Sequence, residues 1–355
     1  MKSNTNNNSD AHNTANTIIT TNQYSKELAV AIAAVAQAAK VCKHVQANLV
    51  TADTLEKRDK SPVTVADFAS QAVVCAALAD AFPDDAVVGE EAADALRTED
   101  QKVLRDAVVS HVRSAMSNTE NQVCANEETI LSWIDRGNAD GTTKRFWTLD
   151  PIDGTKGFLR GQQYAVALAL IENGQVVLGV LGCPNLPGPT GSGNGLIMSA
   201  VTGQSTAIQS TSDGKNQNAS QVQPCNIADT KGARFCESVE SGHSDQDASV
   251  QIAKKLGITT ESVRMDSQCK YAVVARGDAS IYLRLPTHAD YQEKIWDHAA
   301  GMIVVQEAGG TVTDISGKTL DFTQGQTLAK NHGIIATTGN IHQQVLTAVS
   351  EVLNA

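Results

Sequence analysis

Trp147-Thr-Leu-Asp-Pro-Ile-Asp-Gly-Thr155 is the stretch on which the reading turns. The apolar run 146–149 predicts a short strand, and it feeds directly into Asp150 and Asp153. Pro151 removes a backbone donor and disfavours helical geometry at Asp150. Gly154 permits a tight turn immediately after Asp153. The strand therefore delivers both carboxylates to a fixed edge. With the Ile152 carbonyl and the Thr155 hydroxyl they form a compact cluster of oxygen donors. Mg2+ takes oxygen ligands, commonly one or two carboxylates beside waters and a substrate phosphate. The same six residues without a metal are an acidic turn whose aspartates cap local amides.

Two other acidic segments bear on that choice. Gly89-Glu90-Glu91 ends a predicted strand at 86–88; alone it reads as a solvated turn. Trp296-Asp297-His298-Ala-Ala-Gly301 reads as a helix start, where capping is the ordinary job of an Asp.

Composition narrows the function classes. The 355 residues suffice for two domains or one large layered unit. Apolar residues make up 41% and aromatic residues only 4%, so the core should be built from Ala, Val, Ile and Leu. A formal charge of −11 argues against a nucleic-acid partner, since a phosphate backbone needs a basic footprint. An acidic protein that handles phosphate must import positive charge, and metal ions held by carboxylates supply it. Seven cysteines without a C-x-x-C pair point to reduced thiols and a cytoplasmic location. The polar first 23 residues carry no secretory signal pattern. The longest apolar run, 28–39, is broken by Gln37 and falls short of the ~20 residues of a membrane span. It predicts a packed Ala-rich helix and no membrane partner.

Along the chain, residues 1–22 are Asn-, Thr- and Ser-rich and predict a disordered tail. Helices are expected at 25–44, 61–82 and 127–136. The 92–125 stretch shows no clear period. Strands at 164–171 and 176–181 flank an Asn-Gly step that predicts a hairpin. The Pro-, Gly- and Ser-rich stretch 184–223 reads as a loop with at most one or two short strands, flexible over 188–220. Beyond it, strands at 234–239, 262–265, 279–285 and 333–337 alternate with helices at 247–256, 296–308 and the C-terminus. That alternation predicts an α/β domain over 228–355, after an α+β domain over 23–227.

Together the segments form a pattern. The run W-x-L-D-P-I-D-G-T-x-x-F, with G-E-E upstream and W-D-x-A-A-G downstream, resembles the lithium-sensitive, magnesium-dependent phosphatase superfamily that includes inositol monophosphatase. It is most similar to the 3'(2'),5'-bisphosphate nucleotidase branch of fungi and plants. Ser61-Pro-Val-Thr-Val-Ala-Asp67, Phe82-Pro-Asp-Asp85, the extension to Lys-Gly-Phe-Leu-Arg-Gly161, Gly182-Cys-Pro-Asn185 and Tyr291-Gln-Glu-Lys-Ile-Trp-Asp297 carry that closer likeness. It runs from about residue 24 to the C-terminus.

The resemblance implies a layered α/β/α/β/α sugar-phosphatase fold with two to three Mg2+ ions per site. Glu90, Asp150, Asp153, Asp297 and the Ile152 carbonyl would be ligands, and Glu91 structural. Asp67 would serve a third ion and hydrogen-bond Thr155, which orients the attacking water. No Cys-x5-Arg loop or histidine cluster offers a covalent route, so a metal-activated water is the expected nucleophile. His243 is implied near the adenosine, and Ser267, Lys270 and Arg284 around the phosphate that is kept. Thr155 and Asp297 would also face the substrate. The implied reaction removes the 3'-phosphate of adenosine 3',5'-bisphosphate, and of 3'-phosphoadenylyl sulfate, in a monomer. The alternatives are an inositol polyphosphate 1-phosphatase and a non-catalytic nucleotide sensor. Retention of Thr155 and Asp67 beside every carboxylate favours an enzyme.

Overall fold

The computed structural model describes residues 23–47, 54–56, 62–117, 125–189, 193–211, 219–223, 225, 227, 229–240, 244–288 and 290–354. The expected tail at 1–22 lies outside them. A two-stranded hairpin, β1 (Thr54–Glu56) and β2 (Pro62–Thr64), precedes the larger sheets. The first of these orders β3 (Ala86–Gly89), β4 (Arg145–Asp153), β5 (Ala165–Glu172), β6 (Gln175–Pro187), β7 (Asn194–Val201), β8 (Ala207–Ser210) and β9 (Ser220–Gln221) side by side. The second has the order β11 (Val263–Arg264), β10 (Phe235–Glu237), β12 (Ile281–Arg284), β14 (Ile334–Thr337), β13 (Thr311–Thr313).

Helices complete five layers. α1 (Ser25–Ala47) and α2 (Val65–Ala81) cover one face of the seven-stranded sheet, in a core with Trp147, Leu149, Leu168 and Val180. α7 (Cys269–Arg276) and α8 (Ala299–Glu307) fill the space between the sheets, packing on Ala165, Ala167 and Ala169 below and Tyr282 and Ala336 above. α6 (Gln246–Lys255) and α9 (His342–Leu353) close the outer face on Phe235, Ile281, Leu283 and Ile335. α3 (Lys102–Ser117) and α4 (Glu127–Asp135) lie beside α2. This is the expected α/β/α/β/α stack.

Length and composition alone would let α1 cross a membrane. Its Ala31, Ala34, Val35, Ala38 and Cys42 instead form a stripe at helical spacing, buried against α2 and the sheet. The Phe82-Pro-Asp-Asp85 motif anchors the start of β4. Asp85 pairs with Arg145 at 3.0 Å and accepts from Trp147 Nε1 at 2.9 Å, and Arg145 also pairs with Glu27 and Glu172.

The fold corrects several expectations. Among the described residues of 184–223 strand predominates over loop: β6 continues to Pro187, and β7 to β9 follow. Within β7, Leu196, Met198 and Ala200 face the middle layer, while Ile197 and Val201 face α1 and α2. The polar, glycine-rich flanks conceal this strand buried on both faces. The helix expected from residue 61 starts only at Val65, because β2 occupies Pro62–Thr64. α3, α7 and β13 were not expected at all. The helix at 296–308 splits into a 3-10 turn, Ile295–Asp297, and α8.

Candidate active site

Along a regular strand, side chains three positions apart point to opposite faces. Asp150 and Asp153 escape this because β4 bulges between them. Asp150 lies opposite Ala167 and Asp153 opposite Ala165, so three steps on β4 match two on β5. Ala165 and Ala167 both face the middle layer, and the two aspartates emerge on that side. Ile152 stays in the core on the other face. Ser70 of α2 holds the bulge, donating to the Pro151 carbonyl at 2.9 Å.

Gly154 then adopts φ +90° and ψ 44°, a left-handed conformation, and starts the short helix α5 (Thr155–Leu159). A Cβ at Gly154 would lie 2.8 Å from Ser267 Cβ, so the turn is pressed against the C-terminal half. Thr155 lines the cleft. Its hydroxyl donates to the Ile152 carbonyl three residues back, at 3.3 Å. Such local bonding is the ordinary alternative open to a Thr at a helix start. Asp67 is fully buried, one turn before Ser70 on α2.

Glu90 reaches the same cleft from the end of β3. Gln71, fully buried on α2, sets that segment by accepting from Glu91 N at 3.1 Å and donating to Glu91 O at 2.5 Å and Ile134 O at 2.8 Å. Gly89 and Gly137 flank it so closely that a Cβ on either would meet its amide at 2.7 or 2.5 Å. Glu91 is buried, in keeping with a structural role.

The C-terminal half closes the cleft, a cavity of about 650 Å³ lined by residues of both halves. Asp297 sits in the 3-10 turn before α8, and the cap position of that helix falls to His298 rather than to Asp297. Burial pushes its carboxyl up to about 7; Arg284 works against this and Asp153 adds to it. Burial also raises Asp153, with Lys270 opposing and Glu90 contributing. Arg284 pairs with Glu293 at 2.8 Å, lies 3.7 Å from Asp297 and donates to the Tyr291 hydroxyl at 3.2 Å. His298 accepts or donates to Tyr271 at 2.8 Å and to Glu293 at 3.0 Å. Glu293, Asp297 and His298 thus cluster within 4.8 Å, but Arg284 and Tyr271 already engage the outer two. Lys270 and Ser267 line the cleft, Lys270 buried with its Nζ 5.1 Å from the Tyr282 ring centre.

Residues 23–354 match the model of the inositol monophosphatase family. The chain belongs to that family. It is 47% identical over 340 residues to the 3'(2'),5'-bisphosphate nucleotidase of Schizosaccharomyces pombe, covering 93% of this chain and 96% of the relative. The Oryza sativa protein of the same name is 44% identical over 346 residues, covering 94% and 96%. Among solved structures, the Thermotoga maritima IMPase superposes with a TM-score of 0.61 at 20% identity, covering 92% and 98%. The CysQ structure from Bacteroides thetaiotaomicron gives 0.59 at 19%, covering 90% and 99%. These two share the fold.

Inositol monophosphatase family members depend on metal, generally Mg2+. The residues here fit such an ion. Glu90, Asp150, Asp153, Asp297 and the Ile152 carbonyl offer oxygen alone, the donor set of a hard cation. Glu90 raises both Asp153 and Asp297 electrostatically, and Asp153 raises Asp297, a repulsion that divalent cations relieve. The family reading from sequence missed Gln71, Gln268, Tyr291 and Glu293 as parts of this site. Gln268 lies between Ser267 and Lys270, and Tyr291 and Glu293 lie in the segment that ends at Asp297, whereas nothing near Gln71 marked it. His243 lies outside the described residues.

Proposed function

We propose that this chain hydrolyses the 3'-phosphate of adenosine 3',5'-bisphosphate to AMP and phosphate, and acts likewise on 3'-phosphoadenylyl sulfate. The carrying observation is that one cleft holds both signs of charge. Glu90, Asp150, Asp153 and Asp297 line it with carboxylates, and the buried Lys270 and the partly buried Arg284 add cations to the same lining. A substrate with two phosphates meets both. The names of the fungal and plant relatives support the same reading.

When bound, Mg2+ supplies positive charge to the phosphoryl oxygens and acidifies a water for in-line attack. Glu90, Asp150, Asp153, Asp297 and the Ile152 carbonyl would hold it. Four carboxylates balance two divalent ions, and a third ion would draw on Asp67 behind the bulge. The Thr155 oxygen keeps lone pairs free to accept from the attacking water and orient it. Lys270 and Arg284 grip the phosphate that stays, Arg284 being held rigid by Glu293. Ser267 adds a hydroxyl there. Leu285, Pro286 and the half-exposed Tyr291 give the cleft an apolar flank suited to a purine. The division near residue 228 supports two domains that share the site. Since one chain lines the whole cleft, a monomer suffices.

Phosphate release from adenosine 3',5'-bisphosphate, inositol 1,4-bisphosphate and adenosine 3'-monophosphate, with and without Mg2+, tests this. The nucleotide bisphosphate should be the best substrate and require Mg2+. A preference for the inositol substrate makes the chain a polyphosphate 1-phosphatase. Binding without release makes it a sensor.

A further inference from the structure

We infer that Gln268 is a positioning residue: its side-chain amide sets the spacing between the Asp153 and Asp297 carboxylates, and so the affinity of the site for divalent cations. The inference rests on the metal assignment proposed above. Gln268 comes from neither acidic segment. It lies at the turn entering α7, after Ser267, whose φ of +73° is the left-handed value few non-glycine residues adopt. That turn is wedged against Gly154, where no Cβ would fit.

From this position Gln268 touches both acidic segments. Its backbone N–H donates to Asp153 Oδ2 at 2.7 Å. Its side-chain Nε2 donates to the Trp296 carbonyl at 2.8 Å, immediately before Asp297. Its Oε1 accepts from Gly301 N at 2.9 Å, in the first turn of α8. The first amides of a helix lack partners within it, and His298, at the cap position of α8, supplies no side-chain bond. Gln268 does that job from another element. The side chain is 1% exposed, so water cannot stand in for the lost partners. α8 has little freedom to shift in compensation, because a Cβ on Gly301 would already meet Tyr271 at 2.2 Å.

Gln268 therefore links the N-terminal carboxylate segment to the C-terminal one through a single rigid residue. Groups that orient metal ligands from behind typically change metal affinity 10- to 100-fold when removed. Gln268→Met keeps the length and volume and removes both side-chain hydrogen bonds.

The test uses the full chain and Mn2+ alone as probe, measured by calorimetry and by electron paramagnetic resonance. Gln268→Met should weaken Mn2+ binding about tenfold and raise the Mg2+ concentration for half-maximal activity similarly. The control is Thr206→Val, which removes a buried bond of 2.7 Å to the Val304 carbonyl farther along α8. It should lower thermal stability in EDTA while leaving Mn2+ affinity within about twofold. Asp153→Asn and Asp297→Asn run alongside. If neither weakens Mn2+ binding, the metal assignment itself fails. If both do and Gln268→Met stays within twofold of the parent, only the positioning role is overturned. Equal loss in Thr206→Val, or failure of Gln268→Met to fold in EDTA, also overturns it by making the residue a general support of the fold.

Discussion

Lys270→Met separates binding from folding inside the cleft. Lys270 is 3% exposed, and its Nζ lies 5.1 Å from the Tyr282 ring centre. Burial lowers its pKa, with Asp153 the chief opposing influence. A buried ammonium with no salt-bridge partner among the described residues costs stability, and Met fills nearly the same volume without charge. The metal-free protein should therefore gain about 1 kcal/mol, a rise of about 2 °C in Tm. Activity should move the other way. A charge-assisted contact to the retained phosphate contributes about 1.5–3 kcal/mol, or roughly 10- to 150-fold in kcat/KM. Colorimetric phosphate release at saturating Mg2+ would compare adenosine 3',5'-bisphosphate with adenosine 3'-monophosphate. The loss should fall on the bisphosphate alone. Equal losses on both substrates would refute the reasoning and make Lys270 a counter-charge to Asp153. A drop in Tm would refute its desolvation half.

Three further outcomes follow from the geometry. Asp153→Asn should fold normally yet lose at least ~10³ in kcat, as removal of a key electrostatic group does; more than a tenth of parental activity at equal Mg2+ would exclude the assignment. Gly157→Ala places a Cβ 2.3 Å from the Gln163 carbonyl, so it should cost about 1–3 kcal/mol and lower kcat by displacing α5 and Thr155. Gly232→Ala, with nothing within 4 Å, should do neither. Glu293 provides a pH test, since burial raises its pKa but Arg284 and His298 outweigh this and hold it at about 2. A carboxylate depressed in the folded state stabilises above its ordinary pKa of 4.5 and loses that contribution as pH falls toward 2. Glu293→Gln should therefore lose on the order of 3 kcal/mol at pH 7 and flatten the fall of the urea midpoint below pH 4.5.

The acidic motif was legible because its information is local. Pro151, Gly154 and the apolar run before Asp150 constrain neighbouring backbone whatever lies elsewhere. The α1 stripe and the strand-helix alternation after residue 228 were legible for the same reason, since periodicity reports which face is buried. β7 was hidden because a short run, 196–201, broken by Ser199 and set between Gly195 and Gly203, resembles loop until packed helices cover both its faces. Gln71 and Gln268 carried no signal, as a polar residue inside a helix or before one is ordinarily solvated. Only burial turns such an amide into a fixed link.

The sequence by itself determined the chemistry on offer: carboxylate oxygens at Glu90, Asp150, Asp153 and Asp297, and cations at Lys270 and Arg284. Tertiary structure alone decided which donors share a space. Spacing of three along a strand sends Asp150 and Asp153 to opposite faces, and the bulge against β5 reverses this. Asp297 lies 144 positions beyond Asp153 in the chain, and the middle layer brings the two to one cleft. Pairing of this kind depends on where two sheets and the helices between them come to rest, which is a property of the packed core and not of any short segment.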